Sequence, residues 1–141
     1  MTDHATILLA EDDVNEAFLV RRALAKTGLG HRLIHVTDGR ECVKYLSGKD
    51  PFDDRSKYPL PNLLLLDLKM PTISGLEVLG WMEDQPQLKE LPVIILSGSL
   101  HENDRAEAAA KGAADFQVKP VEFDELVKVM QALNARWLAR G

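Results

Sequence analysis

The feature that most restricts the fold of this chain is a fivefold alternation between short apolar runs and longer amphipathic segments. The apolar runs lie at residues 6–10, 32–36, 62–66, 92–96 and 115–118. The runs around 7–10, 63–66 and 93–96 lack polar alternation, which is typical of strands buried on both faces. Strands that alternate with helices are joined by crossovers, so the sequence predicts an α/β fold with a doubly wound parallel sheet.

Five amphipathic segments supply the predicted helices. They cover residues 14–26, 38–48, 75–82, 103–111 and 123–137, with apolar residues at helical spacing in most of them. Gly28, Gly112 and Pro86 stand where helices are expected to stop. The segment 49–61 contains three prolines and several charged residues, and it is predicted to be a long surface loop.

Composition limits the class of protein. The chain has 141 residues, which suits a single domain spanning 1–141, and its net charge of −5 argues against nucleic acid or an anionic membrane as partner. No apolar run is long enough for a membrane span or a signal peptide, so we expect a cytoplasmic protein. The single cysteine, Cys42, cannot form an internal disulfide and is expected to be buried.

Polar side chains follow four of the five predicted strands. The first strand ends at Glu11-Asp12-Asp13, and the third, fourth and fifth end at Asp67, Ser97 and Lys119. Any one of them could simply mark the end of a strand. Ligands of open α/β sheets bind at the carboxyl ends of the strands, so the set together predicts a site there.

The chemistry of such a set is specific. Clustered carboxylates repel one another unless a cation or a proton neutralises them, and Glu11, Asp12 and Asp67 offer the hard oxygen ligands that suit Mg²⁺. No Cys or His spacing suits zinc, and the four scattered histidines are expected at the surface. An aspartate surrounded by Mg²⁺, an ammonium and a hydroxyl is suited to nucleophilic attack on a phosphoryl group.

Four segments resemble the receiver domain of the two-component response-regulator family. They are ILLAEDD at 7–13, LLLLDLKMPTISG at 63–75, VIILSGS at 93–99 and GAADFQVKP at 112–120. The resemblance covers nearly the whole chain. It implies a flavodoxin-like fold with strand order 2-1-3-4-5, five helices and no separate output domain.

The resemblance assigns roles to the metal and acceptor residues. Asp67 would be the phosphoacceptor. Asp12 would bind Mg²⁺ directly, Glu11 would act through water, and Lys69 would offer its backbone carbonyl. Such a protein is a phosphoacceptor in signalling rather than an enzyme with an external substrate. Lys69 and Ser99 would also border the path of a hydrolytic water.

Further positions match the phosphoryl contacts and the switch of the family. Ser97 would contact the phosphoryl group, Lys119 would neutralise it, and the small Gly98 would leave room for it. Phe116 takes the place of the aromatic residue that moves with the hydroxyl, although it cannot donate a hydrogen bond. Pro120 would follow a cis peptide bond. The signal would be displayed on the fourth helix, fifth strand and fifth helix.

The resemblance also implies partners. The phosphoryl donor would be a sensor histidine kinase or a histidine phosphotransfer protein, and the receiver of the signal would be another protein. The 49–61 loop is similar to that of stand-alone regulators associated with phytochrome-type kinases. Trp137 and Leu138 prolong the last apolar stripe, which suggests either a cover for the core or a homodimer contact through the C-terminal helix.

Three other functions compete with this interpretation of the sequence. A haloacid-type phosphatase needs a second aspartate two residues after the nucleophile, where this chain has Lys69. A flavin or nucleotide module needs a glycine-rich or hydroxyl-rich loop after the first strand, where this chain has three acidic residues. A receiver-like docking scaffold that is never phosphorylated is the alternative that stays open.

Overall fold

The central sheet has five parallel strands in the order β2-β1-β3-β4-β5. The computed structural model describes residues 4–98 and 101–139. The strands are β1 (Thr6–Ala10), β2 (Arg32–Val36), β3 (Leu63–Leu66), β4 (Val93–Ser97) and β5 (Asp115–Val118). The predicted doubly wound fold and strand order are confirmed. Ser99 lies outside the described residues, so its predicted position at a water path is not addressed.

Five helices connect or follow these strands. They are α1 (Val14–Lys26), α2 (Gly39–Ser47), α3 (Gly75–Glu83), α4 (Glu102–Ala110) and α5 (Phe123–Leu133). Asp13 and Asp38 cap the first two helices, because each carboxylate accepts a backbone N–H of the first turn. Ser74 and Glu77 form a reciprocal capping box at α3. Within the described residues, no helix is long and apolar enough to cross a membrane.

The sheet separates two apolar layers. Alternate residues of β1 point to opposite faces, so that Leu8 and Ala10 pack in the layer of α2, α3 and α4. Ile7 and Leu9 pack in the layer of α1 and α5. The central strand β3 is fully buried, as its unbroken apolar run predicts. The two layers fix the helices on the two faces of the sheet. The polar residues lie at its carboxyl edge.

The end of the last helix differs from the predicted continuous helix. Regular α-helix ends at Leu133, and a π-helical turn follows at Asn134–Leu138. Trp137 and Leu138 are half-buried against the layer of α1 and α5. Their apolar surface therefore covers the core in part, while a homodimer through this segment stays a prediction that light scattering can test.

Candidate functional site

Backbone hydrogen bonds between neighbouring strands continue past the strand ends and hold the polar residues that follow them. The N–H of Glu11 donates to the carbonyl of Val36 at 3.0 Å, and that of Asp67 donates to the carbonyl of Ala10 at 3.1 Å. On the other side, the N–H of Lys119 donates to the carbonyl of Ser97 at 2.8 Å. Glu11, Asp67 and Lys119 are thus anchored to the sheet through their own backbone.

Three carboxylates meet at this edge. Glu11, Asp12 and Asp67 each place an oxygen within 4.8 Å of the other two. Glu11 and Asp67 are buried, with exposed fractions of 1% and 7%, whereas Asp12 is exposed. Hard oxygen donors of this charge, open to solvent on one side, fit a hard divalent cation that keeps part of its water shell.

Burial makes this arrangement costly without a cation. Removal from water raises the pKa of Glu11 to about 7, although hydrogen bonds from Lys119 and from the backbone of Asp13 oppose the rise. The charge of Asp67 makes a smaller contribution in the same direction as burial, and it is included in this pKa. A cation at this position would relieve the repulsion, so the electrostatics also fit the predicted metal site.

Lys119 is the ammonium of the site. Its Nζ forms an ion pair with Glu11 and lies 3.2 Å from Oδ2 of Asp67 and 3.3 Å from Oε1 of Glu16. Burial alone would lower the pKa of Lys119, but the hydrogen bond to Glu11 and the charges of Asp67 and Glu11 raise it above its ordinary value. Lys119 is therefore charged at neutral pH and neutralises part of the carboxylate cluster.

The two oxygens of Asp67 have different partners. The buried hydroxyl of Ser97 donates to Oδ1 at 2.9 Å, and the N–H of Lys69 donates to the same oxygen at 3.1 Å. Oδ2 contacts the ammonium of Lys119. The structure thus brings the predicted acceptor, hydroxyl and ammonium together, while the metal contact of the Lys69 carbonyl stays a prediction.

The other predicted positions lie around this centre. Phe116 is half-buried beside the layer of α2 to α4, and the guanidinium of Arg105 lies 5.4 Å from its ring centroid. A Cβ on Gly98 would meet no described atom within 4 Å, so the space beside it is open. The prediction of a cis bond before Pro120 is wrong. The cis bond among the described residues precedes Pro51, and trans is the ordinary state of an X–Pro bond.

Sequence reasoning missed two residues next to the site. Glu16 lies in the first turn of α1 and contacts Lys119, and a carboxylate one helical turn beyond Asp12 was the available clue. His35 is half-buried, and its Nε2 donates to the carbonyl of Glu11 at 2.7 Å.

His31 is also half-buried, with Asn134 as a partner at 2.7 Å. The expectation that the histidines lie at the surface therefore holds only in part for these two, because each ring is half-buried and hydrogen-bonded to a residue of another segment.

Comparison with known proteins gives the family. A family model described as the response regulator receiver domain matches residues 7–131. Response regulator Rcp1 of Synechocystis sp. is 32% identical over 132 residues, which cover 94% of this chain and 88% of Rcp1.

Solved structures agree with the sequence match. The crystal structure of the phosphorylated cyanobacterial phytochrome response regulator RcpA superposes with a TM-score of 0.88 at 30% identity, covering 97% of this chain and 96% of RcpA. The Mn²⁺-bound form of Rcp1 superposes with a TM-score of 0.84 at 31% identity, with the same coverage of each chain. The matched sheet, the carboxylate cluster and these likenesses show that the chain belongs to the response regulator receiver domain family of two-component systems.

Proposed function

We propose that this chain is a response regulator that accepts a phosphoryl group on Asp67 in a Mg²⁺-dependent reaction. The observation that carries the proposal is the environment of the Asp67 carboxylate. One of its oxygens accepts from the Ser97 hydroxyl and the other contacts the Lys119 ammonium, beside the carboxylates of Glu11 and Asp12. The similarity to phosphorylated RcpA and to Mn²⁺-bound Rcp1 supports both parts of the proposal.

The side chains of the site divide the work of the transfer. An oxygen of Asp67 attacks phosphorus, and the bond from phosphorus to the donor's imidazole nitrogen breaks, with its electron pair staying on the imidazole. Lys119 neutralises charge on the phosphoryl oxygens, and the hydroxyl of Ser97 turns from Asp67 to donate to one of them. Mg²⁺, held by Asp12, Asp67 and the Lys69 carbonyl with Glu11 acting through water, would supply further charge neutralisation when bound.

The phosphoryl donor we propose is a phosphohistidine on a sensor kinase of phytochrome type or on a histidine phosphotransfer protein. Exposed apolar side chains on α1 and just after β5 support a protein donor. Val14 and Phe18 of α1 and Val121 after β5 are 63%, 57% and 99% exposed. The guanidinium of Arg22 lies over both the Phe18 and Phe123 rings and links α1 to the start of α5. Exposed apolar side chains on the elements next to the carboxylate are suited to a transient protein contact.

Phosphorylation would change the surface formed by α4, β5 and α5, where a downstream protein would bind. When the Ser97 hydroxyl turns toward the phosphoryl group, Phe116 would move into the space that it leaves. Arg105 of α4 packs on the Phe116 ring, so a movement of this ring would displace α4. The helix α4 buries only Ala108 among its described residues, whereas α5 buries Leu126, Met130 and Leu133. A weakly packed helix can shift between two positions at low free-energy cost.

The test is the intact mass of the protein after incubation with acetyl phosphate and Mg²⁺. We expect one phosphoryl adduct on the wild-type chain, and no adduct on Asp67→Asn or after chelation of the metal. An adduct that persists in Asp67→Asn would contradict the assignment of the acceptor. Complete absence of an adduct, with no response to beryllofluoride, would favour the unphosphorylated docking scaffold.

A further inference from the structure

Lys119 has a third carboxylate partner that belongs to neither the metal cluster nor the acceptor. Oε1 of Glu16 lies 3.3 Å from Nζ of Lys119, and the side chain of Glu16 is 42% exposed. The side chain of Asp13 accepts the N–H of Glu16 and fixes the first turn of α1, while Ala17 and Val20 bury the inner face of the helix. The fold therefore holds Glu16 at the mouth of the site.

We propose that Glu16 is a positioning residue that holds the Lys119 ammonium at the mouth of the site and competes for it with the phosphoryl group on Asp67. This inference rests on the proposed function. Glu16 would thereby affect the rate of phosphorylation, although it is neither the acceptor, nor the hydroxyl residue, nor a metal ligand.

The competition follows from which carboxylates a cation would occupy. Glu11, Asp12 and Asp67 form the cluster that can hold the metal, and Glu16 lies outside it. A divalent cation bound at the cluster would neutralise part of its negative charge. Glu11 and Asp67 would then attract the Lys119 ammonium less strongly. Glu16 keeps its full charge at the same 3.3 Å contact and becomes the main partner of Lys119.

When Lys119 also pairs with Glu16, it stabilises the transition state of phosphoryl transfer less. With acetyl phosphate, a bond forms between an Asp67 oxygen and phosphorus, the bond from phosphorus to the acetyl oxygen breaks, and acetate leaves with the electron pair. An ammonium that also pairs with Glu16 offsets less charge on the phosphoryl oxygens in that transition state. Removal of the Glu16 charge should therefore accelerate the transfer.

The same change should act in the opposite direction on the metal. Without Glu16, the ammonium pairs more closely with Glu11 and Asp67 and competes with Mg²⁺ for them. A separation of the two effects, with weaker Mg²⁺ binding but faster transfer at saturating Mg²⁺, is not expected from a merely structural role, which would lower both.

The experiment compares Glu16→Gln with Glu122→Gln. Glu122 is an exposed carboxylate three residues after Lys119, and its side chain neither caps α5 nor forms an ion pair with Lys119. At saturating Mg²⁺ we expect Glu16→Gln to be phosphorylated by acetyl phosphate about threefold faster than wild type. Calorimetric titration should show about twofold weaker Mg²⁺ binding. Glu122→Gln should match wild type in both measurements, and Glu16→Gln should bring no gain in a Lys119→Met background.

Three results would overturn the inference. They are an unchanged or slower transfer in Glu16→Gln, an equal gain in Glu122→Gln, or a gain that persists without the Lys119 ammonium. The second result would assign the effect to long-range charge, and the third to a partner other than Lys119. Absence of labelling on Asp67 in the wild-type chain is a different result, because it would refute the proposed function itself.

Discussion

The carboxyl edge of the sheet and the 49–61 loop both bury polar groups, but they do so in opposite ways. In the loop, the guanidinium of Arg55 donates to the carbonyls of Tyr45, Leu46 and Tyr58 at 2.9, 3.1 and 3.1 Å. The hydroxyl of Tyr45 donates to the carbonyl of Pro59 at 2.8 Å. Each of these donors thus faces an acceptor. At the carboxyl edge, three carboxylates lie within 4.8 Å of one another, and the Lys119 ammonium pairs with only two of them.

This contrast separates a stabilising contact set from a binding site. Paired donors and acceptors in the loop offset their loss of water, so they stabilise the fold. Like charges at the edge raise the free energy of the metal-free protein, and a bound cation would lower it. A site that binds a cation and a phosphoryl group keeps charges that folding alone would not select.

The largest expected effect lies in the loop, at Phe52. Its ring packs 5.1 Å from the Tyr45 ring and 5.2 Å from the Tyr58 ring, with tilted and edge-to-face geometry. Phe52→Ala would remove a buried aromatic side chain, so we expect the free energy of unfolding to fall by about 3 kcal/mol. Urea titration followed by circular dichroism measures this change.

A matched control for Phe52 is Val121→Ala, which shortens a side chain that is 99% exposed. We expect it to change the free energy of unfolding by less than about 0.5 kcal/mol. An unchanged urea midpoint for Phe52→Ala would show that the loop opens independently of the core, and the contrast with the carboxyl edge would then fail.

The next largest effect is expected at Arg55. Arg55→Ala would leave the last carbonyls of α2 without their guanidinium donor and would remove the stacking of Arg55 on the Tyr45 ring. We expect a loss of about 2 kcal/mol in the free energy of unfolding, because hydrogen bonds to a charged group are stronger than neutral ones. Arg55→Lys should recover only part of it, since an ammonium cannot reproduce the planar fork. Full recovery by lysine would mean that charge, and not geometry, holds the loop.

Sequence patterns sufficed for the sheet and for most of the site because both follow from local rules. Unbroken apolar runs predict the buried strands, and the carboxyl ends of parallel strands must lie at one edge. Asp67, Ser97 and Lys119 are residues directly at or after strand ends, so their convergence needs no knowledge of packing.

The remaining features depend on tertiary contacts that the sequence does not encode locally. Phe52, Arg55 and Tyr58 look like ordinary loop residues until the loop folds back on α2. Glu16 and His35 belong to a helix and to a neighbouring strand, and only the packing of α1 and β2 beside β1 brings them to Lys119 and Glu11.

On the site side, we expect Mg²⁺ affinity to depend on pH through Glu11. Burial raises the pKa of its carboxyl to about 7, and the proton must leave before a cation binds. Calorimetric titration should therefore show affinity falling by about tenfold, or about 1.4 kcal/mol, for each pH unit below 7. Glu11→Gln should remove most of this dependence. An affinity that is constant from pH 5.5 to about 8 would show that Glu11 is ionised in the metal-free protein.

The same carboxyl sets the sign of a stability change in the metal-free protein. Its pKa is raised from 4.5, so between pH 4.5 and 7 the folded chain holds a proton that the unfolded chain has lost. The contribution of Glu11 to stability is thus present below pH 4.5 and is lost as the pH rises through 7. Metal-free unfolding at pH 5 and pH 8, in wild type and Glu11→Gln, measures this contribution by difference.

The smallest expected effect is also the one that most directly tests whether the carboxyl edge carries unfavourable charge. Asp67→Asn keeps the shape of the side chain and an oxygen that can accept from the Ser97 hydroxyl, but it removes one of three crowded charges. Without metal, we expect the variant to be more stable than wild type by about 1 kcal/mol. Saturating Mg²⁺ should reverse the order, because wild type keeps the charge of all three carboxylates around the cation and gains more from binding. Thermal unfolding with and without Mg²⁺ measures both differences, and a metal-free variant less stable than wild type would mean that Lys119 already neutralises the cluster.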